Sequence, residues 1–197
     1  MSDIERQRAH FEKVSYKYYC ERKNSNHLLL KKLMWDEFFS GKDIFFEGMR
    51  VLEPMCGFAE GKSIIEQYFP EEFHYEGFDY SKTLVELARQ DNPDLNIQWG
   101  DITRYRRKNS EEKFDLVILI GGLHHVFKHV DIALKNITEA LNPGGYFINF
   151  EPSQNFLPLK LVRSYLYKRN SLFDEETEQG FDLDQLNHLF MNNGYTI

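Results

Sequence analysis

The stretch Val51-Leu-Glu-Pro-Met-Cys-Gly-Phe-Ala-Glu-Gly61 decides the fold. A short apolar strand ends in a carboxylate, Glu53, a turn of small residues follows around Gly57, and a helix opens near Lys62 and Ser63. Glycine lets the main chain approach closely or take a positive φ, so a strand–turn–helix unit of this kind is built to press backbone against a ligand. Glu53 narrows the ligand's charge. A turn that cradles phosphates needs donors and positive potential, and a carboxylate there repels a diphosphate. An ammonium or sulfonium group is accommodated instead.

Outward from this unit, short apolar runs alternate with helical stretches. Strands are predicted at 49–52, 73–78, 95–99, 114–120 and 146–150, with helices at 61–69, 81–90 and 130–141. Ser81 is a plausible cap for its helix. Strands that are apolar on both faces and separated by helices describe a parallel sheet covered on both sides. The fold class is therefore α/β, a Rossmann-like doubly wound sheet. Upstream, residues 3–22 and 26–40 read as two helices forming an N-terminal cap. In the second, Leu30, Met34 and Phe38 recur with Leu29 and Leu33 as one apolar stripe, Asn26 can start it and Gly41 can end it. The chain reads as a single domain: cap 1–45, ligand-binding core 46–152, a lid on one side 153–180, and a last helix with the start of a sixth strand over 181–197.

Bulk composition fits that plan. At 197 residues the chain is long enough for one sizeable core, and 42% hydrophobic with 28% charged residues lies far from the disordered class. A net charge of −7 gives no general attraction to nucleic acid or to an anionic membrane. The basic run from Arg104 to Lys108 is answered at once by Glu111 and Glu112 and reads as a solvated loop. Cys20 and Cys56 stand far apart without a metal-binding spacing, so neither a disulfide framework nor a metal site is expected. The longest apolar run, from Leu116 to Leu123, is too short to span a bilayer. The polar, mixed-charge N-terminus is unlike a signal peptide, and the expected location is cytoplasmic.

Ligands of such sheets bind at the carboxyl ends of the strands, and those ends carry polar groups. Strand two ends in Phe78-Asp79-Tyr80-Ser81, and an acid at that place can accept from two ribose hydroxyls at once. Strand three ends in Trp99-Gly100-Asp101-Ile102, and strand four runs Phe114-Asp-Leu-Val-Ile-Leu-Ile120-Gly-Gly-Leu-His124-His125-Val126. Leu141-Asn-Pro-Gly-Gly145 precedes strand five, which ends at Glu151.

Taken in order, these segments resemble the motifs of class I S-adenosylmethionine-dependent methyltransferases of the small-molecule type: an acid and glycine loop after strand one, an acid after strand two, Gly-Asp after strand three, "FDLV…LHHV" and "LKPGG". Met55 and Ala59 stand where the family usually has glycine, and only Gly57 keeps its place. The resemblance implies S-adenosylmethionine as cofactor, with S-adenosylhomocysteine as product. It assigns the cofactor to Glu53, Met55, Cys56 and Gly57 in the first loop, Asp79, Tyr80 and Ser81 at the ribose, Gly100, Asp101 and Ile102 at the adenine, and Ile120. The leader around Phe11 to Tyr19 is similar to the family's "FD..A..YD", which sets Tyr18 over the methionine end.

With the methyl group already activated, the protein must position a nucleophile and take its proton. His125 and His124 are the candidate bases, His125 slightly preferred, and Glu151 is a third candidate for base or orienting group. No metal is implied. The amino-methylating signature, Asn or Asp before Pro-Pro-aromatic, is absent from strand four. That leaves a small-molecule hydroxyl or amine as acceptor and argues against nucleic acid. The aromatic and basic residues of the lid, including Arg163, Lys168, Arg169 and Phe173, would shape the acceptor pocket, with a phosphate of a nucleotide-linked sugar as one occupant. The family sheet usually has seven strands, so the expected C-terminal strands look truncated, and a bare edge would admit an edge-strand dimer. Two other readings are a methyltransferase-like binding module without turnover and an NAD-dependent oxidoreductase. The oxidoreductase would need a Gly-x-Gly-x-x-Gly that 55–61 does not supply.

Overall fold

The computed structural model describes residues 3–107, 112–167, 169 and 180–197, with the backbone alone for Asp3, Leu159, Arg163, Leu166 and Tyr167. Five parallel strands form one sheet: β1 (Arg50–Pro54), β2 (His74–Asp79), β3 (Asn96–Trp99), β4 (Phe114–Ile120) and β5 (Leu141–Phe150), in the order β3-β2-β1-β4-β5. The chain winds outward from β1 to β3, then returns to the other side of β1 as β4. The strand order therefore reverses between β1 and β4, where such sheets open a crevice.

Both faces are covered, and β4 shows why its sequence from Leu116 to Ile120 is apolar without a break. Leu116 and Ile118 point into a core shared with α2 (Ser25–Phe39), α3 (Glu60–Tyr68) and α4 (Lys82–Asp91). Val117 and Leu119 point the other way, against α5 (Val130–Ala140) and α7 (Leu183–Asn192). Successive side chains of a strand leave opposite faces, so a strand sandwiched between helices needs apolar residues at every position. The segment 142–145 departs from the ladder. Phe114 pairs with Leu141 and Leu116 next with Tyr146, and Gly144 at φ +81° carries the chain around the extra residues.

Four sequence expectations change. The stripe of α2 is not its buried face: Lys31, Trp35 and Phe39 face inward, while Leu29, Leu30 and Leu33 are each nearly 60% exposed. The inward face is chosen by ring packing of Trp35 and Phe39 on each other and of Trp35 on Phe150. The cap of α2 is Asn24, whose side chain accepts from the amide of Asn26. Residues 195–197 form no strand, because the Tyr195 amide is spent on Phe190 at the end of α7 and its ring packs on Phe147 and Phe190. The basic run is anchored: Arg107 pairs with Glu76 at 2.9 Å and Arg106 bonds the buried Asn136. Lys108 and Glu111 lie outside the described residues.

The two ends of the segment 153–180, expected to be a lid, lie side by side. The Phe181 amide donates to Pro152 at 2.9 Å and the Gln154 amide to Phe181 at 2.8 Å. Its first part is α6 (Leu157–Tyr167), with Leu157, Leu161, Val162 and Tyr165 exposed. Lys168 and Phe173 lie outside the described residues. Among the described residues no helix is long and apolar enough to cross a membrane.

Candidate active site

The turns that leave β1 to β4 gather at the carboxyl edge of the sheet, where such folds open a crevice, and α1 (Asp3–Arg22) packs over them as a roof. The turn after β1 is wound tightly. Met55 has φ +55°, Gly57 φ +54° and Ala59 φ +65°, so two residues with side chains hold the left-handed backbone that glycine would adopt freely.

Glu53 does not point into the crevice. Its carboxylate, 2% exposed, accepts from the amides of Gly61 (2.8 Å) and Lys62 (3.2 Å) and from the Tyr75 hydroxyl (2.6 Å). It caps the start of α3 from below, with the helix dipole favouring its charge. Burial still pushes its pKa up to about 8. Gly61 is required by this contact, since a Cβ there would sit 2.8 Å from the carboxyl carbon. Glu53 thus shapes the turn and does not carry a ligand's charge.

Asp79, at the end of β2, joins two of the crevice's turns. One oxygen accepts from the Gly57 amide at 3.0 Å and the other from the Ser81 amide at 2.8 Å. It is buried, and that burial pushes its pKa up to about 6. Ser81 caps α4 through the Leu84 amide. Tyr80 receives the Trp99 indole N–H on its carbonyl. Gly100 donates to the Asp79 carbonyl, and a Cβ on it would press on Phe78 at 3.2 Å, so glycine keeps the ends of β2 and β3 together. Asp101 pairs with Arg8 of α1 and accepts from Thr103. Ile102 is buried, its carbonyl taken by Asn136. Cys56 is also buried, with its thiol pushed well above its ordinary pKa by desolvation, which makes it inert as a nucleophile. Met55 packs toward Gly122, joining the turn after β1 to the turn after β4. Ile120 ends β4, half-buried.

Beyond β4, His124 and His125 lie in a 3-10 segment, Leu123–His129. Glu151, just past β5, organises it by accepting from the amides of Gly122 (2.9 Å), Leu123 (2.7 Å) and His124 (3.3 Å) and meeting the His124 Nδ1 at 2.8 Å. Burial pushes Glu151 up to about 8, against the three amides that pull it down. The two imidazole rings are 4.0 Å apart. His125 is held well below its ordinary pKa, first by burial and then by the positive potential of His124, Arg22 and His10. Both Glu151 oxygens are thus occupied, and they hold the turn that carries the two histidines.

The sequence predicts a cap with Tyr18 in it, but not the polar contacts that α1 makes. Tyr18 lies in it, packed on Phe11 at 5.1 Å and Phe58 at 6.3 Å, with burial pushing its hydroxyl to about 12. Gln7, Arg8, Phe11 and Ser15 of the same helix reach His125, Asp101, Tyr80 and Ser81 respectively. Two of the four, Gln7 and Arg8, sit in a polar run in which no periodicity separates them from solvent-facing neighbours. Only the aromatic leader at Phe11–Tyr18 was a signal.

A doubly wound parallel sheet with acids after β2 and β3 and a glycine turn after β1 is a Rossmann-like fold of the kind methyltransferases use. Residues 55–147 match a family model described as a methyltransferase domain. That match covers just under half of the chain, and it agrees with the Rossmann-like methyltransferase fold. The chain is 27% identical over 160 residues to a demethylmenaquinone methyltransferase of Staphylococcus epidermidis, covering 80% of this chain and 65% of that protein. The chain thus spans just under two thirds of that relative's length. Among solved structures, the putative methyltransferase of Haloferax volcanii, solved with its Trm112 activator, superposes with TM-score 0.68 at 17% identity, over 93% of this chain and 75% of that one. An S-adenosylmethionine-dependent methyltransferase of Mesorhizobium loti gives 0.60 at 18% identity, over 78% of each. At those identities the structures speak for the fold alone.

The residues present fit the family's cofactor: a buried acid at the end of β2, a turn amide directed to it from Gly57, and open space where a Gly57 Cβ would stand leave room for a nucleoside.

Proposed function

We propose that this chain binds S-adenosylmethionine across the ends of β1 to β4 and directs methyl transfer to a small-molecule acceptor. The observation that carries the reading is the Asp79–Gly57 link, which sets a buried carboxylate at the end of β2 against the turn that leaves β1. When bound, the cofactor supplies an electrophilic methyl carbon on sulfonium. Asp79 would hold the ribose hydroxyls, flanked by Tyr80 and Ser81. Asp101 and Ile102 would meet the adenine with Gly100 giving clearance, and the turn from Met55 through Cys56 to Gly57, with Ile120 beside it, would lie along the methionine part. Tyr18 and Phe11 would exclude water from above.

The acceptor must lose a proton as its new bond to the methyl carbon forms. His124, oriented by Glu151, and His125 stand beside the crevice to receive it. This holds whether the attacking atom is oxygen, nitrogen or a ring carbon of an electron-rich aromatic. The relatives named for demethylmenaquinone favour an acceptor of the last kind, a reduced quinone. A phosphate-bearing sugar derivative has less support. Arg169 stacks on Tyr165 at 4.5 Å, and the side chain of Arg163 lies outside the described residues.

Calorimetric titration with S-adenosylhomocysteine, with NAD alongside and the Asp79→Ala variant in parallel, tests the reading. Micromolar binding of the first ligand alone, lost in the variant, is expected. Binding of NAD instead would return the oxidoreductase reading. Cofactor binding without turnover of any reduced quinone or other small acceptor would leave a binding module.

A further inference from the structure

Three cations beside the α1 roof are each answered by a carboxylate, and a fourth is not. Arg8 meets Asp101, Lys23 meets Asp91 at 2.7 Å, and the buried Lys31 of α2 meets Glu60 at 2.8 Å. Arg22, in the last turn of α1, is half-buried and has only neutral partners among the described residues. Its guanidinium lies 4.8 Å from the centroid of the Tyr18 ring and donates to the Nε2 of His27 at 3.2 Å. A guanidinium can only donate, so that ring nitrogen is the acceptor and His27 is neutral. Burial, followed by the positive potential of Arg22 and Lys31, holds the His27 pKa below its ordinary value, in agreement.

Taking a charge partly out of water without an opposite charge costs free energy, and the face of one ring repays only part of it. The position therefore calls for an anion. Its place in the fold narrows which one. The Tyr18 ring stands 6.3 Å from that of Phe58 in the turn after β1, and the positive potential of Arg22 reaches His125 in the turn after β4. Arg8, about 21 Å away along the axis of α1, marks the other end of the roof at Asp101. The nucleoside of the proposed cofactor brings no negative charge, and neither does a reduced quinone. The amino-acid end of the cofactor does, as a carboxylate, which accepts two parallel bonds from a guanidinium fork.

We propose that Arg22 binds the carboxylate of the cofactor's methionine part, held toward it by the Tyr18 ring and by His27 of α2. The assignment rests on the cofactor reading given above. It also gives the pairing of Lys31 a purpose. Glu60, at the start of α3, carries a negative charge that acts on both Tyr18 and His27. Lys31 engages that carboxylate and so leaves the rest of the Arg22 fork to a ligand. Seating of α1 by Ser15 on Ser81 (2.8 Å) and by Glu12 on Thr83 (2.6 Å) then carries Arg22 into place. The roof thereby reads one end of the ligand in addition to excluding water.

Calorimetry of the whole chain with two ligands tests this without an acceptor. Decarboxylated S-adenosylhomocysteine keeps the nucleoside and the ammonium and lacks the carboxylate. The unaltered chain should bind S-adenosylhomocysteine at least about ten-fold more tightly than this analogue, because a hydrogen bond between two charges is the strong kind. Arg22→Met keeps an apolar stem against Tyr18 and removes the charge. The preference should then fall to about two-fold or less, with affinity for the analogue itself changed by no more than about two-fold. Arg22→Gln, which keeps a donor for His27, gives the same reading if the first variant does not fold. A preference that survives in these variants would overturn the assignment. So would an equal loss of affinity for both ligands, which would show that Arg22 only seats the helix. Equal affinities in the unaltered chain would overturn this assignment alone, whereas binding of neither ligand would overturn the cofactor reading as well.

Discussion

The imidazole of His124 and the carboxylate of Glu151 meet at 2.8 Å, and the same carboxylate closes on three successive backbone amides. One side chain therefore fixes both the turn after β4 and the ring it carries. Glutamine at position 151 keeps one acceptor oxygen and turns an NH2 toward backbone donors. We expect Glu151→Gln to lower turnover of a reduced quinone by about 10²-fold, the low end of what a positioned base contributes, because His124 stays and loses only its orienting partner. Calorimetry with S-adenosylhomocysteine should show a cofactor affinity changed by less than about three-fold, because the nucleoside contacts lie on the other side of the crevice. A parallel loss of affinity and turnover would mean that Glu151 only holds the fold.

The buried acids set the pH dependence of stability. Glu53 and Glu151 are raised to about 8 and Asp79 to about 6, against about 4 in an unfolded chain. Between those values the folded state keeps protons that the unfolded state has released, so this contribution is full below about pH 4 and is lost as pH rises toward 8. Asp36 and Asp91 are shifted down by hydrogen bonds from Lys32 and Lys23, and Glu12 is shifted down as well, its partial burial outweighed by Ser81 and Thr83. These three act in the opposite sense and weaken the fold in acid. The melting temperature should peak near about pH 5 and fall toward pH 8.5. Glu151→Gln should flatten the upper limb by at most about 1.4 kcal/mol per pH unit. Calorimetric scans across that range give the slope directly.

Much of this was legible in the sequence because chemistry and topology are tied to strand ends. The unbroken apolar run from Leu116 to Ile120 announced a strand covered on both faces, and Asp79 and Asp101 lie where acids after β2 and β3 should. Glu53 shows the limit. Its place was readable, but its direction was not, since only the folded turn shows that Gly61 leaves room for the carboxylate beneath α3. Gln7 and Arg8 were invisible for a similar reason. Their partners are about a hundred residues away, and no local pattern records a contact over that distance. In α2, periodicity alone chose the wrong stripe, because ring packing by Trp35 and Phe39 outweighed the count of leucines.

That exchange of faces gives a direct test. Leu29→Ser and Leu33→Ser alter side chains 59% exposed and should each change stability by no more than about 0.5 kcal/mol. Trp35→Ala removes a ring that is 4% exposed and packed on Phe39 and Phe150. It should cost about 3–5 kcal/mol. Urea denaturation of the three variants distinguishes this orientation of α2 from the one with the leucines inward, for which the order would reverse.

The turn after β1 predicts opposite signs for two exchanges of glycine and alanine two residues apart. Ala59 holds φ +65°, a conformation that costs a residue with a Cβ about 1–2 kcal/mol. Glycine relieves that strain and gives back about 0.5–1 kcal/mol through the greater freedom of the unfolded chain. Ala59→Gly should therefore stabilise by up to about 1 kcal/mol, reduced by loss of the buried methyl. Gly57 has φ +54°, and nothing lies within 4 Å of the point where a Cβ would stand, so a clash cannot account for any loss there. Gly57→Ala should nevertheless destabilise by about 1–2 kcal/mol through the backbone alone. The same Cβ would stand on the open side of the turn beside the amide that Asp79 holds, so affinity for S-adenosylhomocysteine should fall as well. Equal and small effects of both exchanges would show that the turn relaxes freely, and the left-handed residues would then have no part in shaping the crevice.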